Sequence, residues 1–417
     1  MPPSRTTSLS IAVCLAAVLL LASVGAVGVQ TTAQDGTDAA QPRAAGDLAL
    51  PERVVLPDAD ASGAAVVGID AGAAVDSSGS ELDGTFEQYL LEERIAVADT
   101  DAERRRVINR SVDDLERRID ELREREASAR SAYRAGEIDE AGYLATLRSV
   151  NDRAEQLEQR AYLISPPPTD NTNGLADVHG ATRAGSRIGS LRGEIVALQG
   201  PVRDAVGDRM RSGAAPERFH VTAAPNGTVL AYVDDGTYYR EAIRQNVLTR
   251  GGATGLGLND AYDLANDELY PQFTDHYAFS GFSTISSSRI YRVLGERQYE
   301  HGSIESYIDS VSENVFWEAQ QMTLSSDLPR APPITNTSDT LAVTVRPTYD
   351  TGPASVRVVD DGSAVPNATV LVEGRPVAET GENGEAWVVL SEEEPTVTVT
   401  VDGETARVTV DWETVYS

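Results

Sequence analysis

Between residues 108 and 164 the apolar side chains keep a spacing that suits paired helices. Ile108, Val112, Leu115, Ile119 and Leu122 recur at alternating steps of four and three, and Ala129 and Tyr133 continue the register. Glu126 is the one polar interruption. Such a seam keeps one side of a helix turned toward a helical neighbour. Arg and Glu alternate densely around it ("LERRIDELREREASAR"), the pattern of solvent-facing heptad positions. Gly136 fits the left-handed residue that closes a helix. Asp139 fits the N-cap of the next helix, with Ile138 and Tyr143 spaced for a hydrophobic staple. The second seam runs through Leu147, Val150, Ala154, Leu157, Ala161 and Ile164, and the prolines at 166–168 stop it. Residues 85–165 are therefore expected to form an antiparallel coiled-coil hairpin, its first arm roughly 50 Å long. Two roles suit it: packing on the next domain, or projecting as an arm for self-association or for a protein partner. "FEQYLLEERIAVA" (86–98) reads as a short helix leading in.

Upstream, Arg5 precedes an uncharged, almost wholly apolar run from Leu9 to Val29. That order is the layout of a secretory signal. Its length also meets the ~20 residues that cross a bilayer. Residues 1–30 are expected to be a signal peptide, cleaved after Ala26, or a retained membrane anchor; both place the rest of the chain outside the cell. Cys14, the only cysteine, lies inside this run, so no disulfide and no cysteine zinc site can form within the chain. Residues 31–84 are rich in Ala, Asp, Gly, Ser and Thr and read as a disordered stalk, although "GAAVVGIDAGAAV" has the makings of one short strand.

Residues 175–326 are expected to form a central α+β domain with an antiparallel sheet. A helical pattern spans 181–199, a short helix follows Gly200-Pro201, and "RFHVTAA" and "TVLAYVD" form strands around a Pro-Asn-Gly turn. Helical patterns are read at 237–249 and 259–270, and strands again at "RIYRVLGERQY" and "SIESYID". One echo runs through the domain. Gly227–Asp234 lines up with Gly302–Asp309, and Tyr238, Tyr239, Glu241 and Ala242 answer Phe316, Trp317, Glu318 and Ala319. The echo is compatible with an internal repeat of two helix-plus-hairpin halves. The second half loosely resembles the PepSY type of small extracytoplasmic domain. That resemblance would imply a peptidase modulator.

A Pro/Thr/Ser-rich linker (327–340) precedes a run of alternating strands (341–417) that reads as an all-β sandwich. Within it, Gly362, Val365, Pro366, Ala368 and Val370, then Thr380, Gly384 and Ala386, carry a pattern that resembles carboxypeptidase-regulatory-like, transthyretin-type modules. The resemblance implies an interaction module without a catalytic site of its own. The expected fold is thus multidomain α+β: signal or anchor segment, coiled-coil hairpin, central α+β domain and C-terminal sandwich.

Charge narrows the setting. Every basic residue is an arginine, 35 in all with no lysine, against 65 Asp and Glu, for a net charge of −30. At low salt that excess repels itself; in molar salt the Debye length falls to ~3 Å and the repulsion is screened. Arginine still forms defined, bidentate ion pairs there. The chain reads as built for brine, and as a whole it resembles exported coiled-coil proteins of halophilic archaea, a family that implies no mechanism. The acid excess disfavours nucleic acid as a partner. Contact with membrane is expected only through the N-terminal segment.

Motifs for chemistry are scarce. His179, His220, His276 and His301 belong to no metal-binding pair. "GGATGLG" lacks the context of a phosphate loop, and the Asp-Asp-Gly runs at 234–236 and 360–362 read as turns. No cofactor is expected. Sequons at Asn109, Asn226, Asn336 and Asn367 would be open to glycosylation after export, Asn109 only where it faces out of the heptad helix, with Asn336 and Asn367 the better candidates beside Asn226. The first reading is a non-enzymatic surface protein that acts by binding. The alternative is an extracytoplasmic enzyme or peptidase modulator whose cleft is lined by Tyr238, Tyr239, Arg240, Glu241, Tyr307, Asp309 and Trp317. The two readings separate on geometry: a hollow lined by these groups, or a core filled by their rings.

Overall fold

The computed structural model describes residues 54–415 apart from 168–169, 171, 213–214, 216, 250–254, 270–276, 285–289, 298–301, 326–327, 329, 350 and 391–393. The expected signal or anchor segment, the stalk as far as residue 53, His276 and His301 lie outside the described residues.

Eight strands form one antiparallel sheet. They are β1 (Ala61–Val67), β2 (Glu217–Ala224), β3 (Gly227–Asp234), β4 (Thr237–Arg244), β5 (Tyr277–Thr284), β6 (Ile290–Arg297), β7 (Gly302–Asp309) and β8 (Asn314–Thr323). Their order across the sheet is β1-β2-β3-β4-β8-β7-β6-β5, so two four-stranded halves meet at β4 and β8. Glu241 lies opposite Ala319, with Arg240 opposite Gln320 and Ala242 opposite Glu318. The halves mirror one another about that central pair: Tyr232 faces Tyr239 in one hairpin, and Tyr307 faces Trp317 in the other.

All the long helices lie in the chain between β1 and β2. They are α1 (Ala71–Ala96), α2 (Asp101–Arg134), α3 (Glu140–Ile164), the single turn α4 (Leu175–Val178), α5 (Thr182–Val196) and α6 (Pro201–Ser212). Thr100 and Glu103 close a capping box on α2. Asp139 accepts from the Gly142 N–H to start α3, and Gly136, at φ +72°, makes the turn between them. Ser111 and Asp114 on α2 meet Arg160 on α3, while Tyr133 stacks on Tyr143, so the two helices run antiparallel. Their seam is shared with other helices. Leu91 and Ile95 of α1 and Ala184, Ile188, Leu191 and Ile195 of α5 bury against Ile108, Leu115, Ile119, Val150 and Leu157. The expected boundary near residue 170 therefore runs through a common core. The other end of the layer rests on the sheet, where Tyr143, Leu147, Val202 and Val206 pack on Phe219, Val221 and Leu230.

Residues 54–84 are part of this body, which corrects the expected stalk to 84 over that span. Ala61–Val67 pairs along its whole length with Glu217–Ala223. Asp70 caps α1 by accepting from the Gly72 and Ala73 N–H groups. Small residues suit a strand laid close beneath α3, and neighbours supply the burial that this segment lacks alone.

On the opposite face, α7 (Leu258–Leu264) and the π turn after it cover the sheet. Ala261 and Ala265 bury with Val54, Ala242, Val293, Ile304 and Val315. The C-terminal sandwich closes the rest. Tyr349 and Val389 pack with Ala231, Tyr238, Met322, Leu324 and Leu328.

That sandwich has two sheets. The first joins β9 (Ile334–Ser338), β10 (Leu341–Pro347), β11 (Pro353–Asp360), β12 (Ser363–Ala364) and β15 (Glu385–Val389). The second orders β14 (Arg375–Glu379), β13 (Thr369–Val372), β16 (Thr396–Val401) and β17 (Glu404–Thr409). A last turn, α8 (Trp412–Val415), ends the described chain. Valines at 343, 345, 356, 358, 370, 397, 399 and 408 fill the space between the sheets. The linker expected at 327–340 yields to β9, whose Ile-Thr-Asn-Thr-Ser run pairs with β10 across a turn at Asp339 (φ 48°). Alternation is hard to see in β9 because only its ends are partly covered.

Candidate functional site

Residues 237–244, read as helical, form the central strand β4, and the second aromatic–Glu-Ala segment forms β8. The proposed cleft residues do converge at the middle of the sheet, but they part to opposite faces. Tyr239, Glu241, Tyr307 and Trp317 turn toward the helices. Tyr239 stacks on Tyr232 at 4.7 Å, Tyr307 meets Trp317 edge-on at 5.2 Å, and the Trp317 indole N–H donates to the Gln199 carbonyl. Tyr238 is fully buried on the other face, against Tyr349. These rings fill a core rather than line a hollow. Burial, with the Glu305 carboxylate beside it, pushes the Tyr307 phenol up. Asp309 ends β7, where its carboxylate accepts from the N–H groups of Thr249, Val311 and Ser312; it holds a turn.

The two glutamates of the echo are each buried, yet they are not equivalent. A bulge at Phe316 shifts the β7–β8 register, so that Tyr307 faces Trp317 while Ile308 faces Val315. Glu241 follows Tyr239 by two residues and Glu318 follows Trp317 by one, and successive residues of a strand face opposite sides of the sheet. Glu241 therefore points to the helices and Glu318 away from them.

Glu241 belongs to a charge network sealed from solvent. Its Oε1 accepts from Arg203 Nε at 3.0 Å, and its Oε2 from the N–H groups of Val202 and Arg203 at the start of α6. Gly200 permits this approach; a Cβ there would lie 2.1 Å from Oε2. The two terminal nitrogens of Arg203 donate to both oxygens of Glu126, and Nη1 also donates to the Leu198 carbonyl. Arg130, one turn beyond Glu126, balances the remaining charge at 3.7 Å. Burial opposes the charge on Arg203, but Glu126 and Glu241 outweigh it and hold the guanidinium above its usual range. Nearby, burial pushes the Tyr143 phenol up to about 12 while its hydroxyl bonds Thr228. On the far face Glu318 takes Arg240 at 2.9 Å and the Val54 N–H. Glu126, Glu241 and Glu318 are each held by an arginine, and Arg203 ties α2, α6 and β4 together.

Of the expected glycosylation sites, Asn226 lies exposed in the β2–β3 turn, and Asn367 lies exposed at φ 56° before β13. Asn336 on β9 is exposed, and its amide nitrogen donates to the Arg407 carbonyl. Asn109 is half-buried on α2. His220 is buried on β2, and His179 is half-buried after α4. Among the described residues no cluster of His, Cys, Asp or Glu could hold a metal ion, and no helix is long and apolar enough to cross a membrane.

The surface that composition did not flag is the outer side of α1. Val75, Leu82, Phe86 and Tyr89 are 71%, 70%, 57% and 61% exposed. With Gly79 between the first two they step by four and three, a second heptad stripe with no helix on it among the described residues. The inner side of the same helix uses Ala73, Gly84, Leu91 and Ile95. The stripe was legible as spacing, but its residues fell mostly within the presumed stalk.

Comparison with protein families divides the chain in three. Residues 8–215 match a domain of unknown function (DUF7096), and 219–327 match a family of unknown function (DUF7094). Residues 333–410 match an archaeal fibronectin-III type-like domain. The C-terminal β-sandwich is thus similar to the fibronectin type, where the loop motif had suggested the transthyretin type. No curated protein and no solved structure matches the chain. These matches fit an archaeal protein with a C-terminal β-sandwich. The border between the first two falls between α6 and β2, yet β1 pairs with β2, so the two matched regions share one sheet.

Proposed function

We propose that this chain is a non-enzymatic, exported envelope protein of a halophile that acts by binding helical partners, a second copy of itself first among them. The observation that carries this reading is the bare heptad stripe on α1. A four-three step is the spacing of a helix that faces another helix. The seam of α2 and α3 is taken up within the layer, so the expected coiled-coil contact moves to α1. Asp76 and Asp83 flank the stripe, so pairing of two copies is strongest where salt screens those carboxylates. The apolar run at 9–29 and the acidic composition support export into brine. A fibronectin-like sandwich at the other end suits a surface protein built for contact.

Sedimentation velocity of the full chain in molar KCl tests the reading. The expected result is a dimer that becomes monomeric in the Leu82→Glu/Phe86→Glu variant, whose melting temperature matches that of the parent at concentrations too low for pairing, because both side chains face solvent in the single chain. A parent that stays monomeric at all concentrations, or a variant that still pairs, would count against α1 as the contact.

A further inference from the structure

The fold treats the four Asn-x-Ser/Thr sequons unequally. Transfer of a sugar to such a motif uses two of its groups: the asparagine amide nitrogen, which takes the sugar, and the hydroxyl two residues on, which completes the recognised pattern. Both have to be reachable from solvent at once.

Two sequons are closed at the hydroxyl. After Asn109, Ser111 is buried between helices and its Oγ accepts from Arg160 Nε at 3.0 Å. After Asn226, Thr228 is buried and its hydroxyl bonds the Tyr143 hydroxyl at 2.7 Å. The exposed asparagine of the β2–β3 turn is therefore only half of a usable motif. A third sequon is engaged at the amide. Asn336 Nδ2 donates to the Arg407 carbonyl at 2.7 Å, and the residue lies in the β9–β10 ladder opposite Val343.

Asn367 differs in both respects. Asn367 and Thr369 are exposed, and neither side chain has a hydrogen-bond partner among the described residues. Ala368 between them is buried and anchors the segment. Buried Thr380 holds the loop in place. Its carbonyl accepts from the Asn367 N–H at 2.7 Å. Its hydroxyl accepts from the Ala368 N–H at 2.8 Å and donates to the Val365 carbonyl at 2.6 Å. The left-handed backbone at Asn367, φ 56°, is one that asparagine tolerates better than most side chains do. The clamp thus fixes a projecting loop with both groups of the sequon turned to solvent.

We propose that Asn367 is the one sequon of the folded chain that accepts a glycan, from a sugar donor carried on a lipid phosphate. A bond forms between Asn367 Nδ2 and the anomeric carbon of the sugar, and the bond from that carbon to the phosphate oxygen breaks. The phosphate leaves with the electron pair, Nδ2 gives up one proton, and nothing is oxidised or reduced. The inference rests on export of the chain. It does not depend on pairing through α1, which lies in another part of the fold.

The test uses the full chain, produced in an archaeal host that exports and N-glycosylates its own envelope proteins. Intact-mass measurement and glycopeptide mapping read the sugar, and cell fractionation reads export separately. The expected result is an exported chain heavier than its polypeptide by one glycan, mapped to Asn367, with Asn109, Asn226 and Asn336 bare. Asn367→Gln and Thr369→Ala should each lose that whole mass. Thr369→Ala leaves the turn at residue 367 intact, so its loss reports the motif rather than a disturbed loop. Ser338→Ala, which destroys the Asn336 sequon, should keep the glycan. An exported chain with Asn367 bare, or with sugar on any of the other three, would overturn the assignment and leave export standing. A chain retained inside the cell without sugar would overturn both.

Discussion

His220 shows how one buried side chain sets a pH limit. It lies on β2 between Ala64 and Ala231, its Nδ1 has no partner, and burial, with Arg218 nearby, depresses its pKa to about 3. The unfolded imidazole titrates near 6.5. Between those values the unfolded state binds the extra proton, so stability falls as pH drops from about 6.5 toward 3. The slope from this residue approaches ~1.4 kcal/mol per pH unit. Urea unfolding at pH 7 and pH 5, at constant KCl, should show a larger loss in the parent than in His220→Phe. An equal loss in both proteins would assign the acid sensitivity elsewhere. The sequence named His220 only as one of four unmatched histidines; its burial depends on β1 and β3 flanking it, which no local pattern displays. Glu126 was the more legible residue. A lone carboxylate in a heptad seam signals a buried partner, though not that the partner is Arg203, 77 positions away.

The elements divide by how they hide charge. α2, α3, the turn at Gly136 and the hairpin of β2 and β3 were readable because their apolar periods are regular and their caps are local. β4 and β8 were not, because Arg240, Glu241 and Glu318 occupy buried positions and break the two-residue alternation. The charges that obscured β4 are the ones that pin α2 and α6 to it. Arg203 on α6 spans Glu126 on α2 and Glu241 on β4, so its loss leaves two carboxylates sealed without their cation. Removing one member of a buried pair typically costs ~3–5 kcal/mol, far more than the intact pair contributes. Arg203→Met should therefore lower the denaturant midpoint sharply, and Arg203→Met/Glu126→Leu should recover part of the loss. A single variant that unfolds at the parent midpoint would show that water reaches the network. The echo between β3–β4 and β7–β8 was real as a pairing pattern. It misled at Glu318 because Arg240 separates Tyr239 from Glu241 while Glu318 follows Trp317 directly, a one-residue difference that turns the second glutamate to the other face.

At the scale of the whole molecule the net charge of −30 acts against every contact between elements. Helices, sheet and sandwich fall within one compact unit, so the carboxylates on each are held at short range to those on the next. Much of the arginine is already committed. Arg187 bridges Asp113 and Glu116 from α5 to α2, Arg134 ties α2 to Asp60 before β1, and Arg209 ties α6 to Asp234 on β3. Such pairs are partly exposed and contribute little each in high dielectric. Salt acts on them and on the long-range repulsion in opposite directions, but unequally. Adjacent opposite charges at 2.6 Å lie within one Debye length even in molar salt, whereas like charges about 10 Å apart are screened almost fully. The repulsion is therefore removed first, and added salt should stabilise the fold. The melting temperature, tracked by circular dichroism, should rise steadily from 0.1 M to 2 M KCl and fall again on dialysis. Comparison with sulfate at equal ionic strength separates screening from surface exclusion, since exclusion favours sulfate strongly. A flat profile would mean that paired arginines already neutralise the surface locally, and that the acid excess serves solubility rather than stability.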